Sequence, residues 1–201
     1  MRIDASLCKA FAATLVLSSA HVTAQGQDAP VQAGDNILQL SAGFGGPWSI
    51  RFDQTVATPL FQLNYERALA EVAGSGMVGL GAYVGYKSLR HESSLDPNSY
   101  FYYDQRYTVV PVGLRVITHY WLGLNKLDTY GGVGGGMNFV KRRITEQAGG
   151  GSLFTDDDVV KNHFAYSVFV GARYAVSRHF GVWTELAYGN AWFHIGASLT
   201  L

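Results

Sequence analysis

The stretch Met77-Val78-Gly79-Leu80-Gly81-Ala82-Tyr83-Val84-Gly85-Tyr86-Lys87-Ser88-Leu89 decides the fold. Val78, Leu80, Ala82, Val84 and Tyr86 take every second position, with Gly79, Gly81, Tyr83, Gly85 and Lys87 between them. Side chains of a strand alternate between its two faces, so this is a strand with one apolar face and one small or polar face. A helix would place its apolar residues three and four apart. From Asn36 onward the same period of two recurs in eight segments, each bounded by turn-forming residues.

Working outward, Asn36 to Gly45 sets Leu38, Leu40, Ala42 and Phe44 against Gln39, Ser41 and Gly43. Pro59 to Leu69 opposes Phe61, Leu63 and Tyr65 to Gln62, Asn64 and Glu66. Met77 to Leu89 is the third segment. Arg106 to Tyr120 places Val110, Val112, Leu114, Val116 and Tyr120 opposite Gly113, Arg115 and His119. In Leu127 to Arg142, Val133, Met137 and Phe139 oppose Gly132, Gly134, Gly136 and Asn138. His163 to Val176 has Tyr166, Val168, Val170, Ala172 and Tyr174 against Ser167, Gly171 and Arg173. Phe180 to Tyr188 sets Val182, Leu186 and Tyr188 against Glu185 and Ala187, and Ala191 to Leu201 sets Phe193, Ile195, Ala197, Leu199 and Leu201 against His194, Gly196, Ser198 and Thr200.

The connections are of two kinds. Gly46 to Thr58, Arg90 to Gln105 and Arg143 to Asn162 read as long loops, with the two-residue Gly189-Asn190 at the same end. Ala70 to Gly76, Trp121 to Lys126 and Ser177 to His179 at the other end are short. Short turns at one end and mostly long loops at the other, joined by tilted strands of about ten residues, are the pattern of outer-membrane barrels. The expected fold is therefore all-β, an eight-stranded antiparallel up-and-down transmembrane β-barrel over residues 36–201. A weak internal repeat fits a hairpin-built chain: Val112-Gly113-Leu114-Arg115 is echoed by Val170-Gly171-Ala172-Arg173.

Composition agrees. Only 15% of the 201 residues are charged, against about a quarter in a soluble domain, and 24 are glycine. Fifteen basic residues balance fifteen acidic ones, which gives no electrostatic footprint for a nucleic-acid partner. Residues 1–24 read as a signal peptide: Arg2 and Lys9 precede the apolar Ala10 to Ser19, and Val22-Thr23-Ala24 suits cleavage after Ala24. Cys8 leaves with that segment, and residues 25–35 form a short N-terminal segment before the barrel. The expected location is the bacterial outer membrane.

Over residues 36–201 the chain resembles the small eight-stranded outer-membrane barrels of Gram-negative bacteria, the OmpA-type transmembrane domain and the opacity-type porin-like proteins. Leu63-Asn64-Tyr65-Glu66-Arg67, Gly79-Leu80-Gly81-Ala82-Tyr83, Thr129-Tyr130-Gly131-Gly132-Val133-Gly134 and Ile195-Gly196-Ala197-Ser198-Leu199-Thr200-Leu201 carry the resemblance. It implies outer-membrane lipids as surroundings and recognition of the C-terminal strand by the assembly machinery. That family usually ends in Phe, where this chain has Leu201.

Glu66, Arg115, Arg173 and Glu185 share the polar parity, and a charge facing lipid at the midplane costs about 2–4 kcal/mol. They are expected to point inward as a lumen charge network and to plug the barrel. The inward glycines relieve crowding rather than cradle phosphate, because they repeat within strands and do not precede a helix. His119, His163, His179 and His194 raise the question of catalysis. His194, Ser198 and Glu185 are the one set on a common parity of adjacent strands, and about 13 Å of strand separates His194 from Ser198. The expected protein is no enzyme, with no cofactor and no metal; Asp156-Asp157-Asp158 reads as a solvated acidic tip rather than a calcium site. Trp48, Tyr100, Phe101, Tyr102, Tyr103, Trp121, Trp183 and Trp192 are expected in interfacial aromatic girdles. The expected role is structural or interactive, with any extracellular ligand met by the long loops. Two alternatives stand: a soluble lipocalin-like binder, which would expose its glycine rows to water, and a lipid A-modifying barrel enzyme.

Overall fold

A computed structural model describes residues 31–46, 55–72, 76–94, 101–122, 124, 126–148, 151–153 and 159–201. The signal segment 1–24, the first residues of the 25–35 segment, Trp48, Tyr100 and Asp156 to Asp158 lie outside the described residues.

The strands are β1 (Asn36–Phe44), β2 (Thr55–Ala57), β3 (Leu60–Val72), β4 (Gly76–Ser94), β5 (Phe101–Tyr120), β6 (Leu127–Ala148), β7 (Gly151–Leu153), β8 (Val159–Ala175), β9 (Phe180–Tyr188) and β10 (Phe193–Thr200). Eight of them form a closed antiparallel ring in the order β1-β3-β4-β5-β6-β8-β9-β10, with β10 returning to β1. Closure leaves no sheet edge in the span, which a bilayer requires because it offers backbone groups no water. The short β2 pairs with β4 and the short β7 with β6, both at the long-loop end.

Two of the expected long loops are mostly strand. Arg90 to Gln105 and Arg143 to Asn162 contain the ends of β4 and β6 and the starts of β5 and β8; the β4–β5 ladder continues to Ser94↔Tyr102 and the β5–β6 ladder to Phe101↔Ala148. Alternation identifies a strand only where its two faces meet different surroundings. Above the lipid no apolar surrounding imprints one face, so the pattern fades while the pairing continues.

The molecule has its polar residues inside and its apolar residues outside. Gln39, Gln62, Asn64, Glu66, Lys87, Arg115, His119, Asp128, Asn138, Arg173, Glu185 and His194 are buried in the lumen. Leu40, Phe61, Leu80, Leu114, Val133, Val168, Leu186 and Ile195 are exposed on the outer wall. A soluble lipocalin-like barrel would have the reverse arrangement, so that alternative falls. No helix among the described residues is long and apolar enough to cross a membrane.

Apolar side chains also enter the lumen, in layers. Val31, Ile37, Ala68 and Met77 pack together at the short-turn end, with Trp121 against them. Ile117, Tyr130, Phe169 and Trp183 form a middle layer, and Leu89, Val109 and Val140 an upper one. Trp183 is thus a correction: it sits inside the barrel, donating from Nε1 to the Ala197 carbonyl at 3.1 Å, and not in a girdle. Its odd number places it on the inward parity with Gly181 and Glu185. Trp192 is exposed on the outer wall.

Glycines make room for these rings. A Cβ at Gly113 would lie 2.7 Å from the Tyr83 ring, at Gly132 2.6 Å from Phe169, and at Gly171 2.5 Å from Tyr130. Each of these three rings therefore rests in a gap left by a glycine on another strand, which is how a narrow bore holds aromatics.

Candidate functional site

The lumen site is built from the inward positions of β3, β5, β6, β8 and β9. Arg115 of β5 reaches Glu185 of β9 at 2.5 Å, although β6 and β8 stand between those strands in the ring. It also donates to Asn64 Oδ1 of β3 at 3.3 Å, and its guanidinium lies 3.7 Å from the centre of the Phe169 ring. Tyr130 donates its hydroxyl to Glu185 at 3.3 Å. Glu185 therefore takes a guanidinium and a phenol, while Arg115 bridges opposite parts of the wall.

A second set lies nearer the short-turn end. Asp128 of β6 accepts from Arg173 Nη2 at 2.9 Å and meets His119 Nδ1 at 2.9 Å. His119 Nε2 meets Glu66 Oε1 at 2.5 Å. Only an imidazolium carries a proton on both ring nitrogens, and in that form His119 serves both carboxylates. In these two sets Glu66, Asp128 and Glu185 are matched by Arg115, Arg173 and His119, while the buried Lys87 lies apart from them and donates to the Gly45 carbonyl at 3.3 Å.

Of the residues expected to form the network, the structure joins Arg115 to Glu185 directly. It places Glu66 against His119 and Arg173 against Asp128 instead of joining that acid and base. Sequence reasoning missed Asp128 and Tyr130 as members, and it placed His119 on the polar parity without counting it in the charge network. A signal is present, since Asp128 and Tyr130 lie within the segment Leu127 to Arg142 and share the parity of Gly132 and Gly134.

The set His194, Ser198 and Glu185 is not assembled as a triad. His194 stacks on Trp183 with ring centres 6.4 Å apart, and its buried Nδ1 makes no hydrogen bond. His179 Nδ1 lies 3.1 Å from the Thr200 carbonyl at the exposed short-turn end. Among the described residues no group of three or more His, Cys, Asp or Glu side chains is arranged to hold a metal ion. A cavity of about 30 Å³ beside Gln62, Tyr83, Arg115, Glu185 and His194 has room for about two waters.

The second candidate region is the outer wall above the apolar belt. Register places Arg90 of β4 opposite Arg106 of β5, and Arg106 opposite Arg143 of β6. All three are exposed on the outward face, two residues beyond Ser88, Thr108 and Lys141. The arginines thus form a row across three neighbouring strands just past the lipid-facing residues.

No protein-family model matches the chain, and no curated protein matches it. Similar solved structures are small barrels. The crystal structure of Ail, the attachment invasion locus protein of Yersinia pestis, in complex with the heparin analogue sucrose octasulfate, matches with a TM-score of 0.50 and 12% identity, covering 85% of this chain and all of that one. The outer membrane protein OprG of Pseudomonas aeruginosa matches with a TM-score of 0.49 and 13% identity, over 87% of this chain and 99% of that one. Fold and outward apolar surface together make this chain an eight-stranded β-barrel of the outer-membrane type.

Proposed function

We propose that the protein is a non-catalytic outer-membrane barrel that works as a surface-interaction module, with its partner met at the long-loop end and its lumen closed to solutes. The observation that carries this reading is the row Arg90, Arg106 and Arg143. The row sets three guanidinium groups side by side on one outward face, a spacing along which an extended anionic chain can lie. A flat, extended wall that stands clear of the bilayer suits a polyanionic partner. Ail, a barrel of the same fold, was crystallised with a sulfated heparin analogue.

Closure of the lumen is supported by the bridge from Arg115 to Glu185 and by the aromatic layer beside it. Eight strands leave an interior just wide enough for side chains. A non-catalytic role is supported by His194, whose ring stacks on Trp183 and whose buried Nδ1 makes no hydrogen bond. Outer-membrane lipids contact the belt, and the assembly machinery reads β10 while its partner strand β1 is still free.

Heparin binding to the barrel in liposomes tests the reading. The expected result is salt-sensitive binding that the triple substitution R90A, R106A and R143A abolishes, with the heat-modifiable folded form retained. Equal binding by the triple variant overturns it. In planar bilayers the expected result is no large steady conductance, and a nanosiemens-scale stable channel overturns the closed lumen.

A further inference from the structure

The short-turn mouth, opposite to the basic wall, holds a cavity of about 30 Å³ that neither the ion pairs nor the surface row accounts for. Lys126, Asp128, Arg173, Arg178, His179 and Ser198 are among the residues lining it. Three full cations thus face one carboxylate, and that carboxylate is already engaged: Asp128 receives both His119 and Arg173 Nη2. Among the described residues no carboxylate is within ion-pair distance of Lys126 or Arg178.

Arg173 itself is incomplete. The residue is only 5% exposed, and its second terminal nitrogen, Nη1, is buried with no hydrogen-bond partner. A charged donor removed from water without an acceptor is costly, so an acceptor belongs there. Ser198 and Thr200, two hydroxyl-bearing residues, line the same space. A guanidinium fork matched with two oxygens is the geometry by which arginine recognises carboxylates and phosphates.

We propose that this mouth binds one oxyanion group, a carboxylate or a phosphate, held by Arg173 Nη1 within and by Arg178 and Lys126 at the rim. The volume has room for about two water-sized atoms, and so for two oxygens of such a group. The ligand is therefore either the free ion or the terminal oxyanion of a larger molecule that stays outside the mouth on the short-turn side. The site is independent of the partner proposed for the far end.

The full chain folded in an uncharged detergent is titrated at constant ionic strength, against chloride, with inorganic phosphate in one arm and acetate in the other. The readout is the amide spectrum at Gly181, Ser198 and Thr200 and the side-chain signal of Arg173. A saturable response to either anion supports the site, and the arm that saturates at the lower concentration names the group. The rim substitutions R178A and K126A together are expected to weaken binding on the order of tenfold, since they remove charge-assisted partners while the buried network stays intact. Heat-modifiable mobility checks that this variant still folds. No saturable response in both arms, as a cavity holding water alone would give, overturns the proposal. So does a rim variant that titrates like the parent.

Discussion

Two walls of one barrel end at different heights. β4, β5, β6 and β8 run for 19, 20, 22 and 17 residues, whereas β1, β3, β9 and β10 run for 9, 13, 9 and 8. The β8–β9 ladder begins only at Val168↔Tyr188 and the β3–β4 ladder at Phe61↔Tyr86, so above that level the long strands continue as an open sheet. From Tyr120 to Val110 the outward face of β5 is lipid-facing for about ten residues, which with a tilt of about 40° spans about 25 Å, the height of an apolar belt. Lipid enforces closure and outward apolarity over that height and nothing beyond it. The tall wall is free to carry arginines outward because it stands in water, where exposed edges and charges are tolerated.

That contrast can be broken first inside the span. Asp128→Ala removes the acceptor shared by His119 and Arg173 and leaves both buried without it. The expected loss is about 3–5 kcal/mol in urea unfolding of the barrel in liposomes. A loss below about 1 kcal/mol would mean the lumen charges are as solvated as those of the tall wall.

The outer face of a single strand gives the next comparison. Leu114, 62% exposed at mid-belt on β5, should cost about 2–4 kcal/mol when changed to Arg, while Thr108→Arg on the same face should cost about 0–1. Equal costs would place the upper edge of the lipid belt above Thr108.

Within β6 the two faces differ in room. Gly132→Ala drives a methyl into the Phe169 ring and the Val116 carbonyl, with an expected loss of about 1–3 kcal/mol. Gly135→Ala points outward to the Phe164 ring at an ordinary 3.6 Å and should be nearly neutral in the same unfolding measurement. The smallest effect is expected on the tall wall, where Lys161→Ala should change stability by less than about 0.5 kcal/mol. A larger loss would show that the extension is structurally coupled to the span.

The span was legible because a membrane barrel puts every residue in one of two unlike surroundings, and residues such as Leu80 and Gly81 or Val116 and Arg115 report which. Strand number, inward parity and the burial of Glu66, Arg115, Arg173 and Glu185 follow from period two alone. Trp183 was open to the same reading, and its parity is a better guide to its place than its being a tryptophan near a strand end. The tertiary structure decided which charges meet. Arg115 joins Glu185 across two intervening strands, and Arg173 joins Asp128 rather than either glutamate, because strand tilt and stagger set which inward side chains share a level in the bore. The height of the tall wall was likewise decided by pairing between strands, since beyond the lipid no second environment is left to imprint alternation on the sequence.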